Sequence, residues 1–241
     1  MTEGMAPRVW AVVPAAGVGR RMSSHVPKQY QPVLGRPVIT WSLETLLAVP
    51  RVAAAVVAVS PEDGWWEGTE PPDGKPTYRV TGGRERADSV LAALRFLARE
   101  LAGEGDWVLV HDAVRPCLLP AAVENLLDAG LAGDGQGALL AIPVRDTLKY
   151  ASPDGTVART ASRDCLWQAQ TPQLFPLGAL RDALEAARGR GEPVTDESQA
   201  MERVGYAPRL VEGDAGNLKI TRPEDLLLAE GILRARRETG E

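Results

Sequence analysis

The sequence predicts an α/β fold: a mostly parallel, Rossmann-like sheet flanked by helices, with a β-hairpin arm inserted into it. Three observations carry that prediction. Apolar runs of strand length alternate along the chain with segments of helical period. The first of these runs leads into a turn of small residues and glycines, Pro14-Ala15-Ala16-Gly17-Val18-Gly19. The alternation breaks between Pro143 and Pro172, around the reverse-turn signal Ser152-Pro153-Asp154-Gly155.

Each element follows from its residues. Val9–Val13 is apolar throughout, as a strand covered on both faces must be. Val38–Val49 reads as a helix, and Val52–Val59 as a second buried strand ending at Ser60-Pro61. Residues 61–76, rich in Pro and Gly, read as loop, and Thr77–Thr81 as a short strand. From Asp88 onward Val90, Leu91, Leu94, Leu97 and Leu101 recur at helical spacing, with Arg95, Arg99 and Glu100 on the other face. Trp107–Val110 is a strand that runs straight into His111-Asp112. A helix over 120–130 and a strand over Ala138–Ile142 continue a β-α-β rhythm, which implies parallel strands sandwiched by helices.

Val144–Tyr150 and Thr156–Thr160 then form the two sides of the arm. A lone two-stranded hairpin is marginal in water. The arm is therefore expected to pack on something, most economically a second copy of the chain, although a monomer with the arm folded back also satisfies the argument. Helices are expected over Leu177–Ala187 and Asp196–Arg203, and strands at Arg209–Val211 and Leu218–Ile220. The last helix opens with Thr221-Arg222-Pro223-Glu224, where Thr221 can cap and Glu224 can reach back. There is no internal repeat. The whole, 1–241, is read as a single domain, with 143–172 as an arm for dimerisation.

Composition narrows the function classes. No apolar run approaches the roughly 20 residues that span a bilayer, and the start MTEGMAPRVW has no signal-like segment, so no membrane partner and a cytoplasmic location are expected. A formal charge of −5 argues against nucleic acid as a partner, so any cationic site must be local. Cys117 and Cys165 with His25 and His111 are too few for a disulfide framework or a zinc cluster, and both thiols read as inert. Of 27 basic residues only Lys28, Lys75, Lys149 and Lys219 are lysine, in a chain that otherwise uses Arg. Lys28 and Lys219 stand in suggestive contexts, where a compact, flexible point charge is wanted.

Ligands of open parallel sheets gather at the carboxyl ends of strands. The glycine turn, His111-Asp112-Ala113-Val114-Arg115-Pro116 and Asn217-Leu218-Lys219 all fall at or near such ends. The turn is not a Walker loop, because no Gly-Lys-Ser/Thr closes it, nor a complete dinucleotide fingerprint, because Met22 takes the third glycine position. With Arg20, Arg21 and Lys28 beside it, it reads as a phosphate site: backbone N–H groups approach phosphate oxygens while cations offset their charge.

The glycine turn with Arg21-Met22 and Pro27-Lys28-Gln29 resembles the signature loop of nucleotidyltransferases. Gly82–Val90, Val110–Pro116, Pro143–Thr147, Leu166–Gln173, Thr195-Asp196-Glu197 and Asn217–Thr221 complete a set, over residues 8–235, that resembles the 2-C-methyl-D-erythritol 4-phosphate cytidylyltransferases of the non-mevalonate isoprenoid pathway. The resemblance implies a nucleotidyltransferase-type fold, CTP and a polyol phosphate as partners, Mg²⁺ or another divalent cation, and a homodimer formed through the arm. It implies that Ala15, Ala16, Gly17 and Gly19 cradle CTP and that Gly83, Arg84 and Ser89 border the cytosine. Arg21 and Lys28 would contact the triphosphate. Asp112, Arg115, Thr147 and Thr171 would line the acceptor site, with Asp112 also the metal ligand. Arg163, supplied by the partner's arm, and Lys219 would hold the attacking phosphate. His111 is given no chemistry, Trp167 is read as packing and Arg20 as a surface cation.

The chain departs from the family in three places. Gly216 replaces the usual Asp before Asn217, with Asp214 as a possible substitute two residues earlier. Arg84 stands where an acidic or small residue is common, and Cys165 where glycine is common.

The physical logic holds without the family. A phosphate monoester attacking a triphosphate brings two anions together, which requires cations and neither a side-chain nucleophile nor a general base. Two alternatives stay open from sequence: a cytidylyltransferase for another polyol phosphate such as ribitol 5-phosphate, and a non-catalytic nucleotide-binding module.

Overall fold

The computed structural model describes residues 7–17, 25–69, 71–103, 105–132 and 134–240. The first strand, β1 (Val9–Ala15), is followed by a 3-10 turn, Lys28–Tyr30, a small ribbon of β2 (Pro32–Val33) and β3 (Arg36–Pro37), and then α1 (Val38–Ala48). Next come β4 (Val52–Val59), β5 (Thr77–Thr81), α2 (Arg86–Glu100), β6 (Trp107–Val110), α3 (Pro120–Leu131) and β7 (Ala138–Pro143). The arm carries β8 (Lys149–Ala151) and β9 (Val157–Thr160). The chain ends with β10 (Trp167–Pro176), α4 (Leu177–Gly189), α5 (Glu197–Glu202), β11 (Arg209–Glu212) and α6 (Pro223–Thr239).

A seven-stranded sheet in the order β11-β7-β10-β6-β1-β4-β5 forms the centre. Period-two alternation divides β1 between two cores. Val9, Ala11, Val13 and Ala15 meet Ile39, Leu43 and Leu46 of α1 and Val123, Leu126 and Leu127 of α3. Trp10 and Val12 meet Val90, Leu94 and Leu97 of α2 and Leu180 and Leu184 of α4. Helices thus cover both faces, and the parallel strands β1, β4 and β6 point their carboxyl ends to one edge.

Four local readings are corrected. The sheet is mostly parallel, as expected, but β10, which the sequence did not suggest as a strand, runs antiparallel between β6 and β7. Its Gln168, Gln170, Thr171, Pro172 and Gln173 form no apolar run, yet Gln170, Thr171 and Gln173 are buried with polar partners. Leu218–Ile220 is not a strand; it is an extended segment held by the Ile220 N–H donating to the Val114 carbonyl at 2.9 Å. On the near side of the arm only Lys149–Ala151 lies in the ladder; 144–148 is tied across the arm by the Val144 N–H donating to the Leu166 carbonyl (3.0 Å) and the Ala161 N–H donating to the Leu148 carbonyl (2.9 Å). At the start of α6 the roles reverse: the Asp225 carboxylate accepts from the N–H groups of Thr221 (2.7 Å) and Arg222 (2.8 Å) and from the Thr221 hydroxyl (2.9 Å). Asp225 rather than Glu224 reaches back.

The β8–β9 hairpin is a separate two-stranded sheet that leaves the central one between Pro143 and Trp167. It and the residues at its base expose Leu148, Tyr150, Val157, Leu166 and Trp167, Val157 at 64% of its surface. Among the described residues no helix is long and apolar enough to cross a membrane.

Candidate active site

A cleft opens at the carboxyl edge of β1, between the turn that leaves it, the loop before α2 and the segment after β6. Ala15, Ala16 and Gly17 form its floor. The Gln29 amide donates to the Ala15 carbonyl at 2.7 Å, which ties the 3-10 turn to the strand end and sets Lys28 on the rim. Across the cleft the chain must pass very close to itself. A Cβ on Gly83 would stand 2.2 Å from Cβ of Asp88, and one on Gly82 2.7 Å from Cβ of Ala16, so only glycine fits. The buried Ser89 hydroxyl accepts from the Gly83 N–H at 3.1 Å and holds this turn from beneath. Arg84 is exposed on the cleft wall and makes no ion pair among the described residues.

The opposite wall is a charge network built around the buried Asp112. One oxygen of Asp112 accepts from Arg86 Nε at 2.9 Å; the other lies 2.9 Å from Lys219 Nζ and 3.5 Å from Arg115 Nε. Arg86 turns its two terminal nitrogens to Glu197, at 2.6 and 3.0 Å. Burial alone would raise the Asp112 pKa, but Arg86, Lys219 and Arg115 outweigh it and hold the carboxyl well below the usual range. Burial likewise works against the charge on Arg86, and Glu197 and Asp112 overcome it, so its pKa is raised. Asp112 is therefore a fixed anion, and the cations around it leave the wall net positive.

The Asp112 loop is braced by a relay of neutral groups. The Asp112 N–H donates to Thr171 Oγ1 (3.0 Å), whose hydroxyl donates to His111 Nδ1 (3.1 Å), while His111 Nε2–H donates to the Arg115 carbonyl (3.2 Å). The carbonyl opposite Nε2 requires the Nε2–H tautomer. Burial pushes the His111 pKa down to about 4, against the pull of Asp112, so the ring stays neutral. Arg115 also donates to the Asn217 carbonyl at 2.6 Å, and the Asn217 amide donates to the Thr171 carbonyl at 2.9 Å. This fastens the segment bearing Lys219 to β10.

The residues singled out from sequence thus fall into four groups. Ala15, Ala16, Gly17, Lys28, Gly83, Arg84, Ser89, Asp112 and Lys219 line one cleft. Arg115 and Thr171 are buried behind its wall. Thr147 and Arg163 stand exposed on the arm, where Arg163 donates to the Arg145 carbonyl. Gly19, Arg20 and Arg21 lie outside the described residues. Sequence reasoning missed Arg86 and Glu197 as site members. Both sit inside motifs that it singled out, yet 111 positions separate them and nothing local signals that they pair. Asp214, the possible substitute for the missing acidic residue, is engaged by Arg236 at 2.7 Å and does not line the cleft. A Cβ on Gly216 would lie 2.6 Å from that carboxylate, which would have to shift to admit it. Cys117 is buried, its thiol pushed up to about 11, as an inert thiol should be.

Among the described residues no group of three or more His, Cys, Asp or Glu side chains could hold a metal ion unaided. Mg²⁺ needs only one or two carboxylates and draws its other ligands from phosphates and water. Asp112 offers such a carboxylate, held anionic at the cleft wall.

A model of the family described as 2-C-methyl-D-erythritol 4-phosphate cytidylyltransferase matches residues 9–235. A protein of that name from Halorhodospira halophila is 56% identical over 238 residues, which cover 97% of each chain. Another from Ectopseudomonas mendocina is 53% identical over 92% of this chain and 94% of its own. Among solved structures, a 4-diphosphocytidyl-2C-methyl-D-erythritol synthase superposes with a TM-score of 0.82 at 37% identity, covering 95% of this chain and all of its own. The cytidylyltransferase from Thermus thermophilus does so with a TM-score of 0.77 at 33% identity, over 94% and 99%. The glycine turn, the Asp112 network and these likenesses agree: the chain belongs to the 2-C-methyl-D-erythritol 4-phosphate cytidylyltransferase family.

Proposed function

We propose that this cleft joins CTP to 2-C-methyl-D-erythritol 4-phosphate by in-line displacement. An oxygen of the acceptor phosphate attacks the α-phosphorus of CTP. As that P–O bond forms, the bond from the α-phosphorus to the bridging oxygen breaks and pyrophosphate leaves. The products are 4-diphosphocytidyl-2-C-methyl-D-erythritol and pyrophosphate. The observation that carries this reading is that Lys28 and Lys219, 191 positions apart, line the same cleft as Asp112 and the small residues after β1.

The chain's own residues bind, orient and neutralise. Backbone N–H groups of the turn from Ala15 to Gly19, with Arg21 and Lys28, receive the triphosphate. Gly83, Arg84 and the turn fixed by Ser89 border the cytosine. Lys219, held by Asp112, receives the acceptor phosphate, and Arg115 and Thr171 keep that wall in place. No side chain needs to take a proton, because the attacking oxygen is already ionised near neutral pH. Mg²⁺, held by Asp112 and phosphate oxygens, would add charge neutralisation at the α-phosphate.

The enzyme acts as a homodimer in this reading. The apolar residues exposed on the arm cover the partner, and Thr147 and Arg163 complete its acceptor site. Two free cysteines suit a reducing cytoplasm.

Pyrophosphate release from CTP, measured over a panel of polyol phosphates, tests the proposal. Release is expected with 2-C-methyl-D-erythritol 4-phosphate, and Lys28→Ala should lower kcat by roughly two to three orders of magnitude. Release with ribitol 5-phosphate instead, or CTP binding with no release for any acceptor, would overturn the reading.

A further inference from the structure

Glu197 is 1% exposed and touches neither the cleft nor the bulk solvent. A carboxylate removed from water to this degree is costly unless its partners are fixed. Among the described residues its partner is a single group: both oxygens receive the terminal nitrogens of Arg86, at 2.6 and 3.0 Å. The third nitrogen of that guanidinium, Nε, donates to Asp112 at 2.9 Å. Arg86 therefore stands between two carboxylates, one on the cleft wall and one behind it.

This division has a consequence at the wall. A guanidinium free to choose would meet a carboxylate with two parallel N–H groups. Without Glu197, Arg86 would turn its fork onto Asp112 and draw both oxygens of that carboxylate toward itself. Asp112 presents its second oxygen to Lys219 Nζ at 2.9 Å, so that contact would be lost and the lysine released from its place. Glu197 is in turn set by the backbone beside it. The Ser198 N–H donates to Gln173 Oε1 at 2.8 Å and the Gln173 amide donates to Asp196 at 3.0 Å, so β10 fixes the start of α5.

We infer that Glu197 is a positioning residue for the transfer reaction: by occupying the fork of Arg86 it keeps Asp112 turned toward Lys219. The inference rests on the cytidylyl-transfer reading of the cleft. It predicts that Glu197→Gln lowers kcat by roughly 10- to 100-fold, the cost of misplacing a charged group by about an ångström. The KM for CTP should move by less than about threefold, because the triphosphate side of the cleft is untouched.

The experiment is a double-mutant cycle read by steady-state pyrophosphate release, with thermal unfolding of each variant alongside. In an Arg86→Gln background, Glu197→Gln should cost nothing further in kcat, since the group through which it acts is already gone. A merely structural Glu197 would instead lower the unfolding midpoint and the yield of folded enzyme and leave kcat per folded site unchanged. Glu197→Asp, which keeps the charge and withdraws it by one methylene, gives the same reading should Glu197→Gln fail to fold. A kcat lowered by roughly 10-fold or more, with the KM for CTP within about threefold of wild type, supports the role. Wild-type kcat in a folded Glu197→Asp or Glu197→Gln enzyme overturns it. No pyrophosphate release by the wild-type enzyme would overturn the reading of the cleft, and this role with it.

Discussion

The cleft wall and the arm handle charge in opposite ways. At the wall, Arg86, Asp112, Glu197, Arg115 and Lys219 are braced against one another, and Asp112 meets three cations. On the arm, Thr147 and Arg163 lie on an exposed hairpin whose apolar residues also face outward. A cation in the first setting is positioned before any ligand arrives, and nothing further need be ordered as charge develops. The arm's Arg163 donates to a carbonyl of the same arm, that of Arg145, and meets no such set of opposed charges among the described residues. The contrast separates a wall whose charges one chain fixes from an arm whose polar and apolar residues both face outward.

The first way to break the comparison is to remove the anion at the centre of the wall. Asp112→Asn keeps the shape and leaves Arg86, Arg115 and Lys219 facing one another without it. Turnover should fall by roughly two to three orders of magnitude, as for loss of a dedicated electrostatic group. Stability should fall by about 3–5 kcal/mol, the cost of stranding a buried charge. Denaturant unfolding and pyrophosphate release measure the two separately. A variant with wild-type turnover would show that the wall is not preorganised by Asp112.

Acid sharpens the comparison, because the braced wall carries the perturbed groups. His111 is held neutral with its pKa down at about 4, whereas in the unfolded chain it titrates near 6.5. Between those values the unfolded state binds the proton and the native state does not. The stability contribution is therefore full above about pH 6.5 and is lost as the pH falls toward 4. The shift corresponds to roughly 3 kcal/mol. Asp112 has its folded pKa below the usual carboxylate range, so its contribution persists through that window and is lost only at more acid pH. His111→Gln should flatten the fall in stability between pH 7 and 4 relative to wild type. Parallel stability curves for the two proteins would mean that the ring is not buried neutral.

The two regions were also unequally legible in the sequence. Strand ends followed by glycine or by His-Asp stood out because apolar runs stop abruptly there, and they proved to converge on one cleft. Thr77–Thr81 and Trp107–Val110 emerged with the bounds expected of them. The strand β10 did not, because its buried polar residues answer partners far along the chain: Gln170 bonds the Asp214 carbonyl, and Gln173 bonds Asp196. Periodicity records which residues avoid water and is blind to a glutamine buried with a partner. The same blindness hid Arg86 and Glu197. Leu218–Ile220 was apolar enough to read as a strand, yet it serves to carry Lys219 to Asp112. The arm, by contrast, was visible from its turn chemistry alone, since a Ser-Pro-Asp-Gly turn needs nothing distant to explain it.

The smallest expected effect is the most discriminating for the arm. If Arg163 serves the partner's cleft, a chain carrying Lys28→Ala still offers a sound arm, and a chain carrying Arg163→Ala still offers a sound cleft. Each is inactive as a homodimer. Mixed and allowed to exchange, they form dimers in which the Arg163→Ala chain's cleft, with its own Lys28, receives the Arg163 of the Lys28→Ala chain. The other cleft of the same dimer lacks both groups. Random pairing makes about half of the dimers mixed, each with one working site of two, so activity should return to roughly a quarter of wild type. Arms that fold back on their own chain give no such recovery, because each chain then holds one defect in its only site. The rate at which activity returns on mixing would report how tightly the arms are held.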